Sequence, residues 1–426
     1  MPKKTERELA VSVLSDVLSG GAFANIALRK ALSDAEIYEM DARGRAFVTD
    51  LVNETLRNLI LIDHVINDVS NTPVDKMKPF IRNLLRISVC QIRHMDRIPN
   101  RAAVHEAVNL TKARGMTNLS GFVNGVLRAI TRKTAATNLN AALLYSYPKW
   151  LYESLVRWLG EDEAQEFCKN SHQIPPVVVY VNINKTDAAK LIEILAAEDV
   201  TSEPLNQNQN FLILRQPGDI SKLKSFQDGL FFVIDPGAML AVQAMSPKPG
   251  QSIIDLCAAP GGKSFAAACL MQNSGRIRAF DIHPHRIELI RQTRKRLDLP
   301  IISTDLKDAL VHDPALNQSA DAVLLDAPCS GLGTIRKHPE IKFTRQPKDI
   351  TDLVEKQQQM LKTAAQYVKI GGVLVYCTCT VATEENIDNI NDFLQSFANY
   401  KLEFSRQTLP SATADGFFVA KMLRKS

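Results

Sequence analysis

The sequence predicts an α/β protein in three parts. An all-α segment spans 1–140, a small α+β segment spans 141–235, and a doubly wound parallel sheet fills 236–426. Three observations carry this. Apolar residues recur at helical spacing through the first part, β-branched runs begin only after Pro175-Pro176, and strand and helix patterns alternate from about 236 onward. At 426 residues the chain has room for two to four domains of about 100–200 residues each.

In the first part, Ala10, Val13, Leu14, Val17 and Leu18 lie on one helix face. Phe47-Val48-Leu51-Val52-Leu56, Ile60-Ile62-Val65-Ile66, Ile81-Leu84-Leu85-Ser88-Ile92 and Asn124–Ile130 repeat the pattern, with Pro73, Pro79, Pro99, Gly115 and Gly121 at the breaks. The second part opens on helices carrying Leu151, Leu155, Trp158 and Leu159. Strands follow at 177–181, 211–214 and 230–234, with a helix over 188–198. In the third part the strand runs are 253–256, 278–281, 301–303, 322–326 and 373–376. Helices are expected over 264–271, 285–297 and 353–368.

Hydrophobic residues make up 45% and charged residues 23%, which excludes a disordered or fibrous chain. No apolar run reaches the ~18–20 residues of a membrane helix. Glu6, Glu8 and Asp16 break any signal-like apolar stretch over the first 18 residues, which read as an amphipathic helix. Seven cysteines spread thinly over this length point to free thiols in the cytoplasm rather than a disulfide framework.

Residues 1–140 hold 20 basic and 14 acidic side chains, so the excess charge of the chain sits there. Lys78, Arg82, Arg86, Arg93 and Arg97, at spacings of 4, 4, 7 and 4, form one narrow helical stripe away from Leu84 and Leu85. A solvated face and an RNA-phosphate surface both account for such a stripe.

Chemistry concentrates in the third part. Asp255-Leu-Cys-Ala-Ala-Pro-Gly-Gly-Lys263 follows a strand and opens a helix, so Cys257, Ala258, Ala259, Pro260, Gly261, Gly262 and Lys263 form a turn that a ligand can approach closely. Asp281, 19 residues after Gly262, ends the next strand, where a carboxylate accepts both ribose hydroxyls of a nucleoside. Asp305 follows the third strand. The turn lacks both G-x-G-x-x-G and a Walker glycine, which points to S-adenosylmethionine rather than NAD or ATP. Asp326-Ala-Pro-Cys-Ser-Gly-Leu-Gly333 and Tyr376-Cys-Thr-Cys-Thr380 put Cys329 and Cys379 at two further strand ends. Cys329, Cys377 and Cys379 lack the fourth ligand and the spacing of a zinc site, so no metal is expected. A thiolate that adds to carbon 6 of a pyrimidine makes carbon 5 nucleophilic toward a sulfonium methyl group, and a carboxylate such as Asp326 stabilises the protonated adduct.

The runs DLCAAPGGK, DAPCSGLGTIRKHPEIKF and VLVYCTCTVATEEN, with Asp281, Asp305 and Asp415–Lys421, closely resemble the RNA cytosine-5 methyltransferases of the NOL1/NOP2/Sun group. The N-terminal segments FVTDLVNETL and AVHEAV are similar to the NusB RNA-binding domain. Together these imply a NusB-like domain before a Rossmann-like, S-adenosylmethionine-dependent methyltransferase domain. That pairing is similar to the bacterial enzymes that methylate cytosine 967 of 16S rRNA. The resemblance implies Cys379 as the nucleophile, Cys329 in product release, and Cys257–Lys263, Asp281, Asp305 and Asp326 at the cofactor. Thr380 stands where the family usually has Ser, and Asp235-Pro-Gly-Ala-Met239 departs from the usual pattern before the first motif. The expected partner is 16S rRNA or a small-subunit assembly intermediate, with no membrane. The same chemistry on tRNA, or a non-catalytic antitermination factor on the same fold, stays open.

Overall fold

Thr5 starts the first helix with a capping box: its hydroxyl accepts from the Glu8 amide and the Glu8 carboxylate accepts from the Thr5 amide. In the computed structural model, which describes residues 5–33, 40–134, 139–205 and 208–425, the chain divides into two units. One comprises 1–172 with 335–345, the other 173–334 with 346–426. The first four residues of the expected N-terminal helix lie outside the described residues.

The first unit is helical. It holds α1 (Glu6–Leu18), α2 (Ala24–Ser33), α3 (Ala42–Arg57), α4 (Leu59–Asn67), α5 (Pro79–His94), α6 (Asn100–Ala113) and α7 (Ser120–Arg132). Then come α8 (Ala141–Leu144), α9 (Lys149–Leu159) and α10 (Glu161–Ser171). Its core gathers Leu14, Val48, Leu51, Leu56, Ile62, Leu84, Leu85 and Leu127. α8–α10, which lie beyond the expected boundary at 140, pack as part of the helical unit.

The second unit contains two sheets. β1 (Val177–Val181), α11 (Ala188–Ala197), β2 (Thr201–Leu205), β3 (Asn208–Arg215), α12 (Lys224–Gln227) and β4 (Phe231–Val233) build an antiparallel sheet ordered β2-β3-β1-β4. One face packs under α11 through Val179, Val181, Leu191 and Leu212. The other face shares a core with the larger sheet, where the Phe232 ring lies edge-on to Phe265. The two sheets, on either side of residue 235, share this core within one compact unit.

The larger sheet takes α13 (Pro236–Met245), β5 (Ser252–Asp255), α14 (Gly262–Leu270), β6 (Arg276–Asp281), α15 (Pro284–Leu297), β7 (Ile302–Leu306) and β8 (Ala320–Asp326). The chain next contributes 335–345, with its short helix α16 (Ile341–Thr344), to the helical unit. There Lys342 is buried and donates to the carbonyls of Arg57 and Tyr145. It returns as α17 (Pro347–Tyr367), β9 (Val368–Thr378), α18 (Ile387–Ser396), β10 (Tyr400–Thr408) and β11 (Phe417–Arg424). Strand order is β10-β11-β9-β8-β5-β6-β7. The five strands β9-β8-β5-β6-β7 are parallel, as the alternating pattern predicts, and β11 and β10 extend the sheet antiparallel. Both faces are covered, which is why these strands read as continuous apolar runs.

The structure divides the basic stripe between packed and exposed side chains. Its helix, α5, packs against α1, α3, α4, α6 and α7, so part of the stripe meets other helices rather than solvent. Arg86 is 8% exposed and holds Asp63 of α4 through two hydrogen bonds of 2.8 and 2.6 Å. Arg93 donates to the carbonyls of Ile130 and Lys133 and so closes the C-terminus of α7. Arg82 is half-buried, whereas Lys78 and Arg97 are exposed but lie beyond the two ends of the helix. Helical spacing locates a face; it does not say whether that face meets water or another helix.

Candidate active site

β5, β8 and β9 are neighbours and parallel, so their carboxyl ends meet at one edge of the sheet, where open α/β sheets bind ligands. The Asp255–Lys263 turn, the Asp326–Gly333 loop and the Cys377–Thr380 segment leave from these three ends. Their register is tight. Asp326 stands opposite Cys377, the Ala327 amide donates to the Cys377 carbonyl at 3.0 Å, and the Gly333 amide donates to the Cys379 carbonyl at 2.9 Å. A Cβ on Gly333 would lie 2.2 Å from the Gly416 carbonyl oxygen, so only glycine closes this loop.

The two thiols that motif reading singled out are brought together: Cys329 Sγ lies 3.4 Å from Cys379 Sγ. The contact with Cys379, and then burial, push the Cys329 thiol well above its usual range, so it is held protonated. Cys377 is fully buried, its Sγ 3.4 Å from Asp326 Oδ1, and burial likewise holds it as a thiol. Asp326 also pairs with Lys263, Nζ to Oδ2 at 2.5 Å. That ammonium lies 5.2 Å from the centre of the Phe417 ring, and the neighbouring Asp326 carboxylate overrides burial to raise its pKa. Lys263 is therefore a fixed cation, tied to the acid beside the thiols.

Glu385 is the brace that sequence reading overlooked. It is fully buried and accepts from the Ser330 amide at 2.8 Å, from the Ser330 hydroxyl, and from Gln357 Nε2 at 2.9 Å. Ser330 Oγ in turn lies 2.7 Å from Thr380 Oγ1. One carboxylate thus ties together the residues that follow each thiol. Burial raises its pKa against these hydrogen bonds. The paired acids Glu384-Glu385 after the Thr-Cys segment were the available signal, but acids in a loop ordinarily read as solvated.

A cleft of about 380 Å³ opens beside the thiols. Cys257, Ala259, Asp281, Asp326, Cys329 and Cys379 line it. Ala258 is buried, its amide bonded to the Phe280 carbonyl, and Pro260 is exposed. Gly261 has φ +106°, and a Cβ there would meet the Phe265 ring at 2.3 Å. Gly262 begins α14 directly after it. Asp281 is 5% exposed and accepts from the His283 amide at 3.0 Å. Beside it Ile282, half exposed, and Leu310 offer apolar walls in the same cleft. A buried acid flanked by exposed aliphatic side chains fits a ribose carrying a flat base.

Asp305 is not brought to the cleft. β7 runs to Leu306, so Asp305 lies within the strand, exposed and opposite Phe280, rather than in the loop beyond it. Asp308, two residues past the strand end, lines the cleft instead, together with Arg286, Lys307 and Lys356. The short apolar run Ile301-Ile302-Ser303 understated the strand.

Asp255 is 2% exposed; its Oδ2 accepts from Ser264 at 2.6 Å, while Oδ1 has no partner among the described residues. Burial is the main cause that pushes its carboxyl up to about 7. A folded-state pKa above the unfolded value of 3.8 stabilises the fold at low pH and loses that contribution as pH rises through about 7. Urea unfolding between pH 5 and pH 8 is expected to show Asp255→Asn gaining stability relative to the parent as pH rises. Between pH 5 and the folded pKa of about 7 the gain is about 3 kcal/mol, at 1.36 kcal/mol per pKa unit, and it levels off above. Parallel curves for the two proteins would contradict the buried, protonated carboxyl.

Comparison with known proteins adds the following. The family model described as 16S rRNA methyltransferase RsmB/F matches residues 242–423, that of the NusB family matches 4–132, and a ferredoxin-like domain model of RsmF/B-like methyltransferases matches 147–221. The probable ribosomal RNA small subunit methyltransferase B of Bacillus subtilis (strain 168) is 34% identical over 453 residues, covering 100% of both chains. A protein of the same description from Synechocystis is 32% identical and covers 98% of each. The crystal structure of PH0851 superposes with a TM-score of 0.82 at 26% identity over 99% of both chains.

Proposed function

We propose that this chain, which belongs to the 16S rRNA methyltransferase RsmB/F family, methylates carbon 5 of a cytosine in 16S rRNA, cytosine 967, through a covalent adduct. The observation that carries the reading is the pair of thiols 3.4 Å apart at adjacent strand ends, beside the Lys263–Asp326 pair and in one cleft with Asp281.

In this reading Cys379 Sγ, as thiolate, forms a bond to carbon 6 of the cytosine, and the electron pair of the 5,6 double bond makes carbon 5 nucleophilic. Asp326, oriented by Lys263, faces the ring edge at nitrogen 3 and stabilises the protonated adduct. S-adenosylmethionine supplies the electrophilic methyl group. Asp281 holds the ribose hydroxyls, Ile282 and Leu310 flank the base, and the Cys257–Lys263 turn lies against the rest of the cofactor. Asp308 takes the place first expected of Asp305. After transfer, solvent water in the open cleft takes the carbon 5 proton, the C–H electron pair restores the 5,6 double bond, and the carbon–sulfur bond breaks with its electron pair leaving on Cys379. Cys329, held as a thiol against Cys379 Sγ, offers its proton to the departing sulfur.

The test is methyl transfer to 16S rRNA followed by bisulfite sequencing. One protected cytosine, at 967, is expected. Transfer without a protected cytosine would overturn the carbon 5 assignment. Asp281→Ala is expected to weaken S-adenosylmethionine binding by about 1.5–3 kcal/mol, the loss of hydrogen bonds to a charged group. Unchanged affinity in calorimetric titration would remove Asp281 from the cofactor site.

A further inference from the structure

α6 and α7 of the helical unit enclose a cleft of about 620 Å³ that no step of the proposed reaction uses. Arg101 and His105 of α6 and Arg128 and Arg132 of α7 line it, with the amides of Asn100 and Asn124 and an apolar strip at Val104 and Val108. Among the described residues no carboxylate lines it, and Glu106 lies just outside, 3.5 Å from His105 Nδ1. Among the described residues, Arg101, Arg128 and Arg132 form no ion pair, although Arg86 of the same unit is held tightly by Asp63. All three of these arginines are exposed. Converging unneutralised guanidinium groups repel one another, so the cleft favours an anionic occupant.

A second observation comes from α7 itself. Gly121 and Gly125 precede Arg128 and Arg132 on one exposed face, at positions i, i+4, i+7 and i+11. A Cβ on either glycine would meet nothing within 4 Å. Neither glycine is required by a turn or by packing, yet each destabilises the helix interior relative to alanine. Bare backbone beside two arginines lets a sugar–phosphate chain approach closely.

We infer that this cleft, and not the α5 stripe, is where the helical unit grips the phosphodiester backbone of the RNA substrate. The inference rests on the reading of the protein as an rRNA methyltransferase. Guanidinium groups bind phosphates in a bidentate manner, and the two asparagine amides suit sugar hydroxyls and phosphate oxygens.

The test uses the full chain and a 16S rRNA fragment containing the target cytosine. Affinity is measured across a salt series for Arg101→Gln/Arg128→Gln. As a control of equal charge change, Lys190→Gln/Lys222→Gln alters two exposed lysines of the second unit. Removing two phosphate contacts is expected to make log affinity against log salt shallower by about 1.4–1.8 and to weaken binding about 10–30-fold at 0.15 M salt. The control is expected to keep the parental slope. Methyl transfer at saturating RNA should keep its kcat while KM rises. Gly121→Ala/Gly125→Ala is expected to raise the melting temperature yet weaken RNA binding several-fold, a combination that misfolding does not produce.

A parental slope in the arginine variant, while the parent binds and methylates the RNA, would overturn this inference and leave the methyltransferase reading intact. An equal loss in the lysine control would reduce the effect to net charge and overturn it as well. A parent protein that neither binds nor methylates the fragment would remove both readings.

Discussion

Cys379→Ala is expected to abolish methyl transfer and covalent RNA capture together. Without Sγ no bond to carbon 6 forms, carbon 5 stays unreactive, and nothing else at this edge of the sheet replaces the sulfur. Cys329 is near enough but is held as a thiol by its neighbour and by burial. Cys377 is buried against Asp326. Cys377→Ala is therefore expected to retain both reactions with modest loss. The measurement is labelled methyl incorporation into rRNA beside denaturing electrophoresis of protein and RNA. Residual turnover above background in Cys379→Ala would assign the nucleophile elsewhere.

Cys329→Ala has the opposite signature. The adduct forms and carbon 5 accepts its methyl group, but the departing Cys379 sulfur loses the thiol that lies 3.4 Å away. Elimination stalls, and a protein–RNA species accumulates that survives denaturation. It is expected after incubation with S-adenosylmethionine, carries one methyl group, and is absent from the parent and from Cys379→Ala. If Cys379→Ala traps the species and Cys329→Ala does not, the two roles are exchanged.

The sheet was legible because its central strands are buried on both faces. Ile253-Ile254, Ala322–Leu325 and Val373–Val375 are continuous apolar runs, and each ends at a chemically distinctive loop. Three strands escaped: β11 is interior and buried and was read only as a motif segment, and the other two are edge-like. β2 contains Pro204 and is mostly exposed, and β10 alternates polar residues at the border of its sheet. The thiols, the glycine turn and Asp281 could be found because motif spacing puts them at strand ends. Glu385 and Asp308 could not, since their importance lies in what they touch. Arg86 and Arg93 of the α5 stripe were misjudged for the same reason: their partners, Asp63 and the end of α7, are distant in sequence.

In the proposed reaction Cys379 Sγ bonds carbon 6 of the target cytosine. Fluorine at carbon 5 cannot leave as a proton does, so an RNA carrying 5-fluorocytidine at the target should hold the parent enzyme at the adduct once the methyl group has been transferred. Proteolysis and mass spectrometry of that complex should place the methylated nucleotide on Cys379; a nucleotide on Cys329, or no covalent complex in the presence of S-adenosylmethionine, would contradict the account.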